Sequence, residues 1–230
     1  MRIGGIVAVL LATMALTGCT DIQKWTYQPD ARTVRTPILA KRVVVPPLND
    51  LRPHVNRDMT LVLTAIVPLL PYGTAEYHRP ERLPIWEMKG VTPSDPPHDV
   101  AKAIAEELDH SGLFSKVVYS PTGEAGELVL KGDLIALKDE RWQTLYGLTL
   151  FFGDLLWLAG APKGGTSQEL TLKLALVETG TGRTLWSQTF SERDKKTEWV
   201  YAMRFALRHP QLLKTEMRQA VASLEKTLSQ

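Results

Sequence analysis

Leu170-Thr171-Leu172-Lys173-Leu174-Ala175-Leu176-Val177 decides the fold. Leucine recurs at every second position, and Thr, Lys, Ala and Val fill the places between, the period of a strand with one buried face. Thr179-Gly180-Thr181-Gly182 follows as a turn, and Arg183 to Phe190 returns in strand-forming residues. The pair predicts an antiparallel hairpin.

Working back from it, Leu128 to Leu137 reads as a strand, preceded by a turn over Pro121 to Gly126 and by β-type residues from Leu113 to Tyr119. Ser94-Asp95-Pro96-Pro97 supplies a cap and a proline start, and Val100, Ile104 and Leu108 follow at helical spacing until Gly112 stops the helix. Arg42-Val43-Val44-Val45, closed by Pro46-Pro47, predicts a buried strand, and a further strand is expected near Thr60 to Val67. The chain end, from about Thr197 to Leu228, reads as helix broken or kinked by Pro210, with Trp199, Met203, Ala206 and Leu207 on a core-facing stripe. This order predicts an α/β (α+β) domain over residues 42–230, a mixed β-sheet packed by two or more helices, with a long Pro-rich loop at 48–95.

Met1 to Gly18 has Arg2, an apolar run from Ile6 to Leu16 and small residues at its end, as a secretory signal does. The run is too short for a transmembrane helix of roughly 20 residues. Leu16-Thr17-Gly18-Cys19 resembles the lipobox of bacterial lipoproteins, in which signal peptidase II cuts before an acylated cysteine, and that resemblance makes Cys19 the lipid attachment site. It implies a palmitate-type acylated protein on the cell outer membrane facing the periplasm, because Thr20 and not aspartate follows Cys19. Residues 19–41 are polar and carry Pro29 and Pro37, which predicts a lipidated tether with an extended reach of roughly 70 Å.

Charge excludes one partner class. The chain has 27 Lys and Arg against 25 Asp and Glu, and removal of the leader costs only Arg2, so no nucleic-acid footprint is expected. With a single cysteine there is no intrachain disulfide and no cysteine-based metal site.

Three further stretches resemble a group of envelope lipoproteins. They are Val43-Val44-Val45-Pro46-Pro47-Leu48-Asn49-Asp50-Leu51-Arg52, Ser111-Gly112-Leu113-Phe114-Ser115-Lys116-Val117, and the Thr181 to Ser187 hairpin with Leu185-Trp186-Ser187. Together they are similar to a fold group that includes the amino-terminal domain of TolB, the curli secretion lipoprotein and the lipoprotein activators of penicillin-binding proteins. The resemblance implies binding of protein partners in envelope assembly, secretion or transport, with a ring-forming secretion subunit or homo-oligomer as the alternative.

Catalytic machinery is thin. His54, His78, His98, His110 and His209 have no metal-ligand spacing and read as surface or capping residues; neither metal nor cofactor is expected, and the chain reads as a non-enzyme rather than an envelope hydrolase. Glu106-Glu107 reads as a solvated helix face. Lys163-Gly164-Gly165-Thr166 lacks the order of a phosphate loop.

Candidate partner-binding residues are Asp50 and Arg52, which otherwise form a loop-stabilising ion pair, Tyr72 and Tyr77 in an aromatic and charged loop, and Phe151, Phe152 and Trp157. The last three lie in Leu145 to Pro162, an apolar stretch whose one charge is Asp154. Three readings stay open for it: core strand with a buried short helix, an exposed docking patch, or a membrane-dipping segment.

Overall fold

The computed structural model describes residues 25–57, 59–80, 94–122, 126–148, 150–202 and 207–230. The leader, Cys19, and the Pro-rich stretch 81–93 lie outside them.

The hairpin forms as expected and is longer than its leucine run. β7 (Gly164–Glu178) and β8 (Thr184–Glu198) pair antiparallel from Gly164↔Glu198 to Val177↔Thr184. β7 also pairs along its whole length with β6 (Leu128–Gln143), a 16-residue strand at the centre of the sheet. The opposite edge of β6 is shared in turn by three shorter strands. β1 (Leu39–Val45) meets it in parallel at Leu128 and Val129, β2 (Asn49–Asp50) in parallel at Asp133 and Leu134, and β4 (Gly73–Tyr77) antiparallel from Asp139 to Gln143. β5 (Phe114–Tyr119) lies parallel to β1, and β3 (Asn56–Arg57) antiparallel to β4. Eight strands among the described residues thus form one mixed sheet.

Two long helices cover one face. α2 (Pro96–Ser111) starts on its two prolines and stops at Gly112, whose φ of 68° suits glycine. Asp95 occupies the N-cap without a side-chain cap, and the Asp99 carboxylate instead accepts its N–H at 2.9 Å. α4 (His209–Leu228) begins with Pro210 in its first turn, so the proline opens this helix and kinks nothing. Leu170, Leu172, Leu174 and Leu176 of β7 join Val100, Ile104 and Leu108 of α2 and Leu213, Met217 and Leu224 of α4 in one core. The other face of the sheet keeps the residues between: Lys131, Lys173, Ser187, Thr189 and Ser191 are exposed.

A register shift between Leu134 and Ala136 inserts one extra residue into β6. Before it the buried positions are Leu128, Leu130, Gly132 and Leu134; beyond it they are Leu137 and Asp139. Such a bulge changes which residues of a strand face a given side, so Leu137 and Asp139 continue the buried face that Leu134 leaves, and that face turns polar at Asp139, at the far end of the core.

Three expectations change. The segment near Thr60 to Val67 is a helix, α1 (Met59–Ile66), because its apolar residues run continuously without alternation and a strand edge is already filled by β4. The expected helix from Thr197 is strand to Glu198, then a short 3-10 turn (Val200–Ala202); among the described residues after it, helix runs from His209. Of the expected core stripe, Trp199 is exposed and Leu207 half-buried; Met203 and Ala206 lie outside the described residues.

The third change concerns the tether, since residues 25–38 are a strap bound to the helices. Tyr27 Oη donates to Glu107 Oε2 at 2.8 Å, and that carboxylate also accepts the Asp30 N–H at 3.0 Å, so Glu107 is buried and not solvated. Asp30 pairs with Arg218 at 2.7 Å and Lys214 at 2.9 Å, Arg32 with Asp109, and Arg35 with Glu225 at 2.5 Å. The Thr33 N–H reaches the His110 carbonyl at 2.7 Å. Five residues, not the expected twenty-two, separate Cys19 from this bound chain.

Candidate interaction surface

The β6–β7 ladder ends at Gln143↔Gly164, and the long connection across that end contains α3 (Leu150–Leu158). The glycines of Lys163-Gly164-Gly165-Thr166 serve close packing. A Cβ on Gly164 would stand 2.1 Å from the Trp142 carbonyl oxygen, and one on Gly165 2.5 Å from that of Lys196.

Thr144 organises the connection. Its N–H reaches the Lys163 carbonyl at 3.0 Å, extending the ladder by one rung, and its own carbonyl accepts Trp157 Nε1 at 2.9 Å. Its hydroxyl donates to the Pro71 carbonyl at 2.7 Å and accepts the Tyr146 N–H at 3.0 Å. Gly153 lets α3 settle on the fully buried Leu145, whose Cβ would lie 2.9 Å from a Cβ at that glycine.

α1 arrives at the same end from the other side of the sheet path. It packs on β4, and the chain after it touches the β6–β7 connection, where the Leu69 N–H donates to the Gly147 carbonyl at 3.2 Å. Leu69 and Tyr146 both have positive φ, 72° and 59°, and they are the two non-glycine residues of that kind among the described residues. Left-handed backbone at Leu and Tyr costs about 1–2 kcal/mol each and is kept where surrounding contacts demand it. The junction of the two apolar segments is such a place.

The result is an apolar end. Val62, Leu63, Ile66, Val67 and Leu69 from the first segment are exposed, as are Leu148, Phe152, Leu155 and Leu158 from the second; Ile66 is 69% and Leu155 50% accessible. Tyr72, Tyr146, Trp199 and Tyr201 are exposed around them. The Tyr146 hydroxyl donates to the Pro162 carbonyl at 2.5 Å and that of Tyr201 to the Leu158 carbonyl. Between α1 and the hairpin end lies a groove of about 340 Å³ lined by Leu61, Val62, Ala65, Trp142, Lys163 and Glu198.

Next to this end, around Asp50 and Asp139, buried charge is paired. Asp50 Oδ1 accepts Arg52 Nε at 2.9 Å, and Oδ2 accepts Arg52 Nη2 at 3.0 Å and Arg79 Nη1 at 2.8 Å. Arg79 Nη2 also donates to the Arg52 carbonyl at 2.9 Å, and its backbone exchanges hydrogen bonds with the Asn56 side chain. Burial works to raise the Asp50 carboxyl, but the hydrogen bonds and charge of Arg52 and then Arg79 outweigh it and hold the group below the usual range. Asp139 is more deeply enclosed; burial pushes its carboxyl up despite Arg141 and Arg208. Arg208 joins β7 and β8 to α4 through Thr166, Gln168 and Asp194. His209 is fully buried and donates Nε2–H to the Lys138 carbonyl at 3.1 Å, and burial lowers its pKa to about 4, so the ring is neutral.

These positions sort the candidate residues. Asp50 and Arg52 form the loop-stabilising pair, with Arg79 as a partner that sequence spacing does not reveal. Arg52 is 2% exposed and turned inward, so it offers nothing to a partner. Tyr77 is fully enclosed under the Arg141 guanidinium, 5.8 Å from its ring centre, and is not a contact residue. Trp157 is 7% exposed and serves as the pin between α3 and Thr144, with the Lys163 ammonium 5.6 Å from its ring. Tyr72 and Phe152 are exposed at the apolar end, whereas the Phe151 side chain lies outside the described residues. His209 is core and not surface. Among the described residues no group of His, Cys, Asp and Glu is arranged to hold a metal ion.

No protein-family model matches the chain, and no curated protein matches it. Among solved structures it is similar to protein XCC0632 from Xanthomonas campestris, described with family DUF330, at 10% identity over 86% of this chain and 89% of that one, TM-score 0.45. It is also similar to a PelC dodecamer from Paraburkholderia phytofirmans, at 11% identity over 89% and 98%, TM-score 0.37. Lipoprotein GNA1162 from Neisseria meningitidis follows at 13% identity over 79% and 97%, TM-score 0.29. All three TM-scores fall below 0.5, too low to carry fold or function across.

Proposed function

We propose that the protein is a non-enzymatic, lipid-anchored envelope protein, held at the outer membrane facing the periplasm, that acts by binding protein partners in assembly, secretion or transport. The observation that carries the envelope placement in this reading is the apolar end. Two segments far apart in sequence, one without a charge over 59–72 and one with only Asp154 over 144–162, meet there and leave large apolar side chains in the open. Contiguous apolar surface of this kind needs a covering molecule. The leader ending in Leu16-Thr17-Gly18-Cys19 supports the anchor, and it predicts that mature Cys19 bears the acyl chains.

Fractionation of cells producing the wild type and Cys19→Ala tests the anchor. The wild type stays with membranes after high-salt washing, and the variant moves to the soluble periplasmic fraction. Firm retention of a processed Cys19→Ala chain would remove lipid as the anchor. Crosslinking in intact cells from Tyr72 and from Ser187, on the exposed sheet face, then identifies partners, and capture of no protein from either position would refute the binding role.

A further inference from the structure

We propose that the apolar end seats on the lipid bilayer that holds the Cys19 acyl chains, so that the domain stands on its membrane through α1 and α3. The inference rests on the anchoring reading above and adds what covers the exposed surface.

The strap gives the direction of the leash. Arg35 sits against Glu225, Asp30 against Arg218 and Lys214, and the Gln28 carbonyl accepts Lys214 Nζ at 3.0 Å. Traced backward, the strap therefore climbs α4 from its C-terminal end toward His209. That residue is bonded to Lys138, from which β6 runs on to Gln143 at the apolar end. The described strap, followed toward its N-terminal side, thus points toward the apolar end. Six Cα steps from Trp25 to Cys19 reach at most about 20 Å, and a lipid on Cys19 brings the membrane within that distance of the strap.

The chemistry of the surface fits lipid. Ile66, Leu69, Phe152 and Leu155 offer bulk without charge, whereas protein interfaces are ordinarily framed by polar groups and enriched in Arg. Tyr146 and Tyr201 stand beside them with hydroxyls held by backbone carbonyls, the amphipathic rings suited to a headgroup boundary. α1 and α3, of 8 and 9 residues, are about 12 and 13 Å long. No helix of the described residues is long and apolar enough to cross a membrane. Seating is therefore shallow, on the order of 5–10 Å into the headgroup and acyl boundary. The helix-free face of the sheet is left to the side, open to protein partners.

The full-length acylated protein in vesicles of phosphatidylethanolamine and phosphatidylglycerol provides the test. Cys19 is the single cysteine and its thiol is blocked by acylation, so one introduced cysteine accepts an environment-sensitive fluorophore uniquely. Ile66→Cys and Leu155→Cys probe the apolar end, and Ser187→Cys probes the open sheet face. Emission at 66 and 155 is expected to shift to the blue and to be quenched by nitroxide lipids several-fold more than at 187. Phe152→Ser with Leu155→Ser should leave vesicle flotation intact and lower the quenching at 66 several-fold. Equal water exposure at all three sites overturns the proposal. A blue shift in native envelopes but not in protein-free vesicles also overturns it, in favour of a protein on this surface. A chain that does not float and takes the label at Cys19 itself defeats the anchoring reading, and the seating with it.

Discussion

Gly73 lies so close beneath Thr64 that a Cβ at the glycine would stand 2.0 Å from the threonine Oγ1 and 2.4 Å from the Thr60 carbonyl oxygen. The helix α1 rests on β4 at this point, and Thr64 is turned inward, 1% exposed, with its hydroxyl donating to that same carbonyl at 3.0 Å. The apolar end depends on the contact, because α1 supplies half of it.

Gly73→Ala should accordingly lift α1 and destabilise the fold by about 1–3 kcal/mol, the usual range for an overpacked site. Gly180→Ala, with nothing within 4 Å of its Cβ, is the control and should change urea midpoints little. Equal midpoints for the two variants would mean that α1 does not sit on β4 as described.

Asp50→Ala removes the carboxylate that receives both Arg52 and Arg79. Buried pairs lose about 3–5 kcal/mol when one partner is deleted, and the partial exposure of Asp50 places the expected loss near the lower end. Equilibrium unfolding measures it. A loss below about 1 kcal/mol would show that the two guanidiniums find other acceptors without cost.

Glu216 is 1% exposed in α4 with neither carboxylate oxygen hydrogen-bonded to a described side chain, and burial raises its pKa to about 9. A carboxyl raised on folding contributes its full stability below the unfolded value near 4.5 and loses it as pH climbs toward 9. Glu216→Gln should therefore melt well above the wild type at pH 8.5, and the gap should close toward pH 4.5. A gap that is constant with pH would contradict burial of a neutral acid. His209, held neutral with a pKa of about 4, acts in the opposite sense, costing stability as pH falls from about 6.5 to 4.

The strap is open to a protease test. Arg32 and Arg35 are tied to Asp109 and Glu225, so trypsin should cut them slowly in the folded protein, and Asp30→Ala, which releases Arg218 and leaves Lys214 only the Gln28 carbonyl, should speed cleavage several-fold. Immediate cutting of the wild type at both arginines would restore the picture of a loose tether.

What could be read from sequence follows from how local each signal is. The leucine alternation of β7 and the proline-to-glycine span of α2 report their own neighbourhoods, and both form where expected. The strap leaves no sequence signal, because Tyr27, Asp30 and Arg35 are ordinary polar residues until Glu107, Arg218 and Glu225 stand opposite them, far away in the chain. Residues 60–67 read as a strand and fold as helix α1, because a short apolar run has no period to separate the two. The apolar end is half legible: Leu145 to Pro162 stands out in the sequence, and the stretch 59–72 is likewise uncharged. Their meeting required Leu69 and Gly147 to be side by side. The inward turn of Tyr77 and Trp157 also needed the fold, since an aromatic residue in a loop-like sequence gives no hint of which way it points.

The outer edge of β8 has a consequence for crowding. Molecules confined to a surface meet one another far more often than in solution, and a 15-residue edge strand is a template for sheet-to-sheet joining. From Glu192 to Lys196 that edge reads Glu-Arg-Asp-Lys-Lys, with lysines at the positions nearest the apolar end. Strand addition there would have to bury these charges against a neighbour's. Crowded copies of the chain can thus stay apart without zipping into fibres, and the leucine hairpin that builds the core carries its own guard against aggregation.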